Sequence, residues 1–148
     1  MVHYRYIQTY KDIPIELTMY IVHVKDGYVT SFNGHALNVT TNLSSKATVN
    51  VVEAMNAAKN YVGALKYKWE DVFWEKNIKE SKKDINATYF PKGELYWYAE
   101  DINTLDKKTN LRLAYKFDIY SSIPDNAQRV YVDAKTGEVF LVNSLKHN

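Results

Sequence analysis

The 148-residue chain contains no cysteine, which excludes thiol catalysis, thiolate zinc sites and disulfides, though it leaves the compartment open. Arginine is nearly absent. Only Arg5, Arg112 and Arg129 carry a guanidinium, too few for bidentate reading of phosphates. The five glycines stand singly at turn-like positions, so no glycine-rich loop can cradle a phosphate. Charge of one sign is lacking too, and a formal net charge of +2 does not argue for nucleic acid or an anionic membrane. No stretch approaches the roughly 20 apolar residues that span a bilayer. No basic-then-apolar export segment precedes residue 3, so the expectation is either a cytosolic protein or a form shown without its export signal.

Catalytic patterns are missing as well. There is no G-x-S-x-G elbow, no H-E-x-x-H, and no histidine pair at i, i+4 that would put two metal ligands on one helix face. The adjacent carboxylates Glu70-Asp71 and Glu100-Asp101 would point to opposite faces of a strand, so neither pair can flank one bond. His3 and His23 could sit on neighbouring strands, but lone strand histidines are ordinarily structural.

What the chain does have is aromatic side chains, 14% of residues, with 13 tyrosines among them. Tyrosine favours half-buried sheet faces and interfaces, where the ring is covered and the hydroxyl stays wet. The opening stretch HYRYIQTY alternates Tyr4, Tyr6 and Tyr10 with Arg5, Ile7 and Thr9 at a strand's period of two. Lys11-Asp12-Ile13-Pro14 reads as a turn. The next strand is expected to put Ile15, Leu17, Met19 and Ile21 on one face, and Glu16, Thr18 and Tyr20 on the other. Lys25-Asp26-Gly27-Tyr28 is a hairpin turn into a return strand that ends at Asn33-Gly34.

Residues 35–46, rich in Asn, Thr and Ser, suit a linker. Thr48 is placed to cap a helix within Val49 to Leu65, whose Val51, Met55, Ala58, Val62 and Leu65 recur at helical spacing. Its alanines allow close approach to a sheet. EKNIKESKKD reads as a short solvated helix within an excursion at about 66–92. The last third returns to strands. Its cleanest alternation places Leu111, Leu113, Tyr115, Phe117 and Ile119 inward, with Arg112, Lys116 and Asp118 toward water. Ala134-Lys135-Thr136-Gly137 makes a hairpin turn whose glycine suits positive φ. Strands and helix are segregated, so the fold class is α+β with antiparallel sheets.

The tyrosine rows, with Tyr96 and Tyr98, leave three readings open: sugar stacking, a protein interface, or simple cover for a sheet and its helix. Asn38, Asn42 and Asn86 each begin an N-x-S/T sequon, a pattern common by chance.

HYRYIQTYKDIPIELTMYIVHVKDGYVTSFNG resembles the fungalysin/thermolysin propeptide motif, through His3, Arg5, Tyr6, Gln8, Tyr10, Ile13-Pro14, Val24, Gly27, Val29, Ser31 and Asn33-Gly34. RLAYKFDI and RVYVDAKTGEVF, after the alanine-bearing helix, resemble a PepSY-type module. The resemblance implies two small cystatin-like modules with antiparallel sheets, one long helix being packed against the second sheet. They would divide as residues 1–40 and 41–148. It implies a non-catalytic pro-region without cofactor or metal, acting as intramolecular chaperone and inhibitor of a cognate secreted thermolysin-like zinc metalloprotease. The zinc ligands would then belong to a following catalytic domain, and this chain would be a piece of a longer secreted or cell-envelope protein. Partner contacts are expected at Tyr4, Tyr6 and Tyr10, and along Ser144, Leu145, Lys146, His147 and Asn148, where a frayed terminus is the plainer expectation. The alternatives are a free-standing PepSY-like binding or inhibitory module of the cell envelope, a carbohydrate-binding module, and a cystatin-like inhibitor. The last lacks a Q-x-V-x-G loop.

Overall fold

Two tight turns organise the beginning of the chain. In a computed structural model, which describes residues 1–34, 36–39, 42–100 and 110–146, β1 (Val2–Tyr10), β2 (Ile13–Lys25) and β3 (Tyr28–Gly34) form two successive antiparallel hairpins. Tyr10 pairs with Ile13, and Lys25 with Tyr28, so each loop has two residues. Both residues of both loops have positive φ: Lys11 49°, Asp12 63°, Asp26 54° and Gly27 80°. That is the type I′ geometry whose twist matches the strands, and Asp-Gly is among its preferred sequences.

The expected alternation along β2 breaks at Leu17. Ile7 pairs with Met19 but Thr9 with Pro14, so four residues of β2 bulge opposite Gln8. Leu17 takes φ 66°, and the Thr18 hydroxyl donates to the Ile15 carbonyl at 2.7 Å. The bulge resets the pleat. Ile15 and Thr18 become buried (0% and 1% exposed), while Leu17 and Met19 turn outward at 67% and 43%. A period-two reading cannot anticipate a bulge that rests on a leucine in the left-handed region.

Over its described residues the chain is α+β, with a mixed multi-strand sheet and two α-helices. It divides into two compact units, residues 1–46 with 95–114 and residues 47–94 with 115–148. In the first, Ile15 makes a parallel bridge to Trp97 of β5 (Glu94–Ala99). The Trp97 indole N–H donates to the Tyr10 carbonyl at 2.9 Å, and its buried ring leans on Tyr10. The 35–46 stretch, expected as a linker, is fastened to β1 over its described part. The Gln8 amide exchanges two 2.7 Å hydrogen bonds with the backbone of buried Leu37, as a neighbouring strand would.

In the second unit α1 spans Val51–Val62. Its cap is Asn50, not Thr48: the Asn50 side chain accepts from Glu53 N–H at 2.9 Å and donates to the Glu53 carboxylate. The Thr48 and Val49 N–H groups instead donate to the Ala134 carbonyl, so the VDAKTGEV turn holds the helix entrance. Gly63, in the left-handed conformation, ends the helix. Ala54, Met55 and Ala58 form its buried face.

A short β4 (Lys66–Tyr67) leads to a second helix, α2 (Val72–Lys82), of 11 residues against 12 in α1. The helix expected to be long is thus hardly longer than α2, which takes in most of the short helix expected at EKNIKESKKD. Beyond β5, the strands β6 (Leu111–Ile123), β7 (Asp125–Asp133) and β8 (Val139–Ser144) complete the sheet, with β6 beside β7 and β7 antiparallel to β8. The alternation of β6 holds, since Leu113, Tyr115, Phe117 and Ile119 are all buried. Its other residues are not simply in water. Lys116, Asp118 and Tyr120 are half-buried and line a cavity with residues of α2 and of segment 88–94. At the β7–β8 turn the Asp133 carboxylate accepts from the N–H groups of Lys135 and Thr136 at 2.7 and 3.0 Å, and Gly137 takes φ 79°.

Candidate functional site

Strand register sorts the first 34 residues into two faces. Tyr4 pairs with Val22 and Val22 with Phe32, while Tyr6 pairs with Tyr20 and Val2 with Val24. Paired residues share a face. Val2, Tyr4, Tyr6, Tyr20, Val22, Val24 and Phe32 thus form one surface without a charged side chain, and the Tyr20 and Phe32 rings lie 6.4 Å apart across it. Tyr4 is 49% exposed, Tyr6 57% and Phe32 69%. Single exposed apolar residues need no explanation, but a contiguous patch marks an interaction surface. Among the described strands β1 pairs only with β2, so its outer edge offers unpaired backbone groups beside that patch.

The opposite face is mixed, with His3, Arg5, His23, Ser31 and Asn33 beside Ile7, Met19 and Ile21. His3 and His23 are register partners, their rings edge to face at 4.7 Å and their Nδ1 atoms 2.6 Å apart. His23 Nε2 meets the Asn33 side-chain oxygen at 2.7 Å. That oxygen accepts, so His23 Nε2 donates to it. The two histidines hold each other and Asn33. Among the described residues no three His, Asp or Glu side chains converge as a metal site would require.

The expected contact residues separate into groups. Tyr4 and Tyr6 are brought together on the apolar face. Tyr10 is engaged internally: its hydroxyl accepts from Leu43 N–H at 3.0 Å and its ring packs on Trp97. Lys11 donates to the carbonyl of the same Leu43. At the other end, Ser144 closes β8 opposite Gln128, and Leu145 N–H donates to the Ala127 carbonyl at 2.9 Å. Lys146 Nζ donates to the Asp125 backbone carbonyl at 2.6 Å and pairs with its carboxylate at 3.3 Å. The Lys146 ammonium holds the Asp125 carboxyl below the usual carboxylate range. Through Lys146 the segment is fastened along β7 rather than frayed. His147 and Asn148 lie outside the described residues.

Tyr20, Val22 and Phe32 went unnoticed as members of the surface. Two-residue hairpin loops fix the register between strands, so the two turn sequences were the signal that could have found them.

In the second unit, helix α2 and segment 88–94 are joined by Glu75. Its carboxylate accepts from Tyr89 N–H (2.8 Å), the Thr88 hydroxyl (2.8 Å) and Lys79 Nζ (3.2 Å). Burial pushes its pKa up, but these donors outweigh it and the carboxyl sits below its ordinary value. Lys68 Nζ lies 4.1 Å from the Trp74 ring centre and 5.4 Å from that of Tyr89. Burial, then the nearby Glu53 charge, pushes the Tyr115 phenol up, which keeps it a donor to the Val49 carbonyl at 2.8 Å.

Two sequence-family models match the chain, and their bounds differ from those of the two compact units, since residues 95–114 of the first unit fall within the longer match. Residues 48–142 match the model of the peptidase propeptide and YPEB domain, PepSY, which is well over half of the chain. The chain belongs to the PepSY family. Residues 1–36, which make the two hairpins, match the fungalysin/thermolysin propeptide motif. A PepSY domain preceded by this motif is a propeptide region of the thermolysin-like protease type, and both families are non-catalytic. No curated protein matches the chain. The residues of the propeptide motif have visible tasks. Gln8 and Tyr10 hold Leu37 and Leu43. Asn33 meets His23. Gly34, at φ 142°, leaves no room for a side chain, because a Cβ there would fall 2.0 Å from the Met19 carbonyl oxygen.

Proposed function

We propose that this PepSY chain is the pro-region of a secreted thermolysin-like zinc metalloprotease, and that it acts on its cognate catalytic domain as intramolecular chaperone and inhibitor. The observation that carries this is the uncharged aromatic face of β1–β3, set within the propeptide motif and uncovered in the chain itself. Tyrosine and phenylalanine on a rigid sheet supply large contact area at low entropic cost. A surface bound tightly to the catalytic domain would block its activity. Bound to a folding intermediate, it would lower the barrier to a kinetically trapped native state. Tyr4, Tyr6 and Phe32 are the contacts, joined by the segment Ser144–Lys146.

The test is refolding of the denatured cognate catalytic domain with and without this chain in trans, together with inhibition of the mature enzyme. The wild-type chain raises refolding yield and inhibits at micromolar concentration. The Tyr4→Glu/Tyr6→Glu variant keeps its own thermal melt and loses both effects. A variant that inhibits as well as wild type would rule out this face as the contact, and a wild-type chain without either effect would overturn the function.

A further inference from the structure

The second unit contains a cleft to which neither propeptide chemistry nor the fold assigns a task. It has a volume of about 490 Å³ and opens between α2, segment 88–94 and the outer face of β6. That size is in the range of pockets that take a ligand rather than a water or a single ion. Lys82, Lys92 and Lys116 contribute to its walls, with the rings of Tyr89 and Tyr120, 5.3 Å apart, as an aromatic floor. Two carboxylates, Glu94 and Asp118, also line it. Asp118 is neutralised by Arg129, whose guanidinium grips both of its oxygens at 2.7 and 3.1 Å. Among the described residues Lys82 and Lys92 have no ion-pair partner. The cleft therefore keeps an excess of positive charge that the described residues do not satisfy.

Phe90, Pro91 and Lys92 also form one wall of a second, smaller cavity of about 270 Å³, lined by Met55, Trp69 and Phe117. An apolar hole and a cationic cleft thus share a three-residue ridge. We propose that this double cleft binds an extended acidic peptide segment, its carboxylates on Lys82 and Lys92 and one bulky apolar side chain in the smaller cavity. Nucleic acid is disfavoured, because the cations form one short cluster, without the arginine or the long basic track that follows a phosphate backbone. A neutral sugar would use the aromatic floor but leave the lysines unanswered.

Fluorescence anisotropy of the whole chain with a fluorescein-labelled decapeptide, one leucine flanked on both sides by glutamates, tests this directly. Saturable binding below ~1 mM at low ionic strength is expected, weakening as salt is added. The glutamine counterpart of the peptide is expected to bind about 10-fold more weakly, and a glycine in place of the leucine to weaken binding several-fold. Lys82→Glu/Lys92→Glu should lose at least about 10-fold, and the milder Lys82→Gln/Lys92→Gln an intermediate amount, both with unchanged thermal melts. Absence of saturation, equal binding by the lysine variants, or tighter binding of a ten-residue oligothymidylate would each overturn the proposal. The chain is titrated alone, so these outcomes are separate from the refolding test of the sheet surface.

Discussion

Glu75→Ala is expected to lower stability by about 2–3 kcal/mol at neutral pH and by less once the carboxylate is protonated. The carboxylate accepts a main-chain N–H from Tyr89 and a hydroxyl from Thr88, both at 2.8 Å, and pairs with Lys79. A hydrogen bond to a charged acceptor contributes about 1.5–3 kcal/mol. The side chain is about one-fifth exposed, which favours the lower end of that range. The Thr88 hydroxyl can turn to water and adds roughly 0.5–1 kcal/mol, and the partly exposed i, i+4 pair a few tenths. In urea, with a slope of about 2 kcal/mol per molar, the midpoint should fall by about 1–1.5 M. Tryptophan fluorescence reports this locally, since Trp69 and Trp74 belong to the same unit. The folded pKa lies below the ordinary carboxylate value, so the charge-dependent part of the stabilisation is complete above the unfolded pKa and is lost as pH falls through the folded one. The gap between wild type and Glu75→Ala should therefore be full at pH 7 and shrink toward pH 3. Glu75→Gln, which keeps an acceptor oxygen without charge, should cost about half as much. A midpoint change under ~0.3 M, or a gap that stays constant or widens on acidification, would refute the reasoning.

Two further substitutions probe the packing. Gly93 has φ 69°, and a Cβ there would sit 2.6 Å from both the buried Phe117 ring and a Val51 methyl group, so Gly93→Ala should cost about 2–4 kcal/mol, read as a melting temperature lowered by several degrees. Trp97→Phe removes the donor to the Tyr10 carbonyl and leaves a gap beside Ile15; it should cost about 1.5–3 kcal/mol. Its signature is faster hydrogen exchange in β1 and early β2, with β7 and β8 protected as before.

Much of the fold was legible because short-range rules govern it. Type I′ turns at Lys11-Asp12 and Asp26-Gly27, the β6 alternation, the alanine face of α1 and the Asp133–Gly137 turn each follow from a few adjacent residues. Those same rules brought Tyr4 and Tyr6 to one face of β1. They failed where one element's environment is set by a distant one. The Leu17 bulge depends on burying Ile15 and Thr18 together, and Ile15 meets Trp97, 82 positions away in sequence. Tyr10 looked like the same kind of residue as Tyr4 and Tyr6, but Leu43 and Trp97 claim it.

By itself, then, the sequence determined the strands, the turns and the propeptide motif, since period, turn chemistry and small residues act over a few positions of backbone. Tertiary structure alone decided which tyrosines remain exposed. It also decided that Lys82, Lys92 and Lys116 converge on one cleft, and that residues 95–114 join the N-terminal unit. Burial and cavity shape come from surfaces far apart in the chain meeting in space, and no local pattern encodes which surfaces those will be.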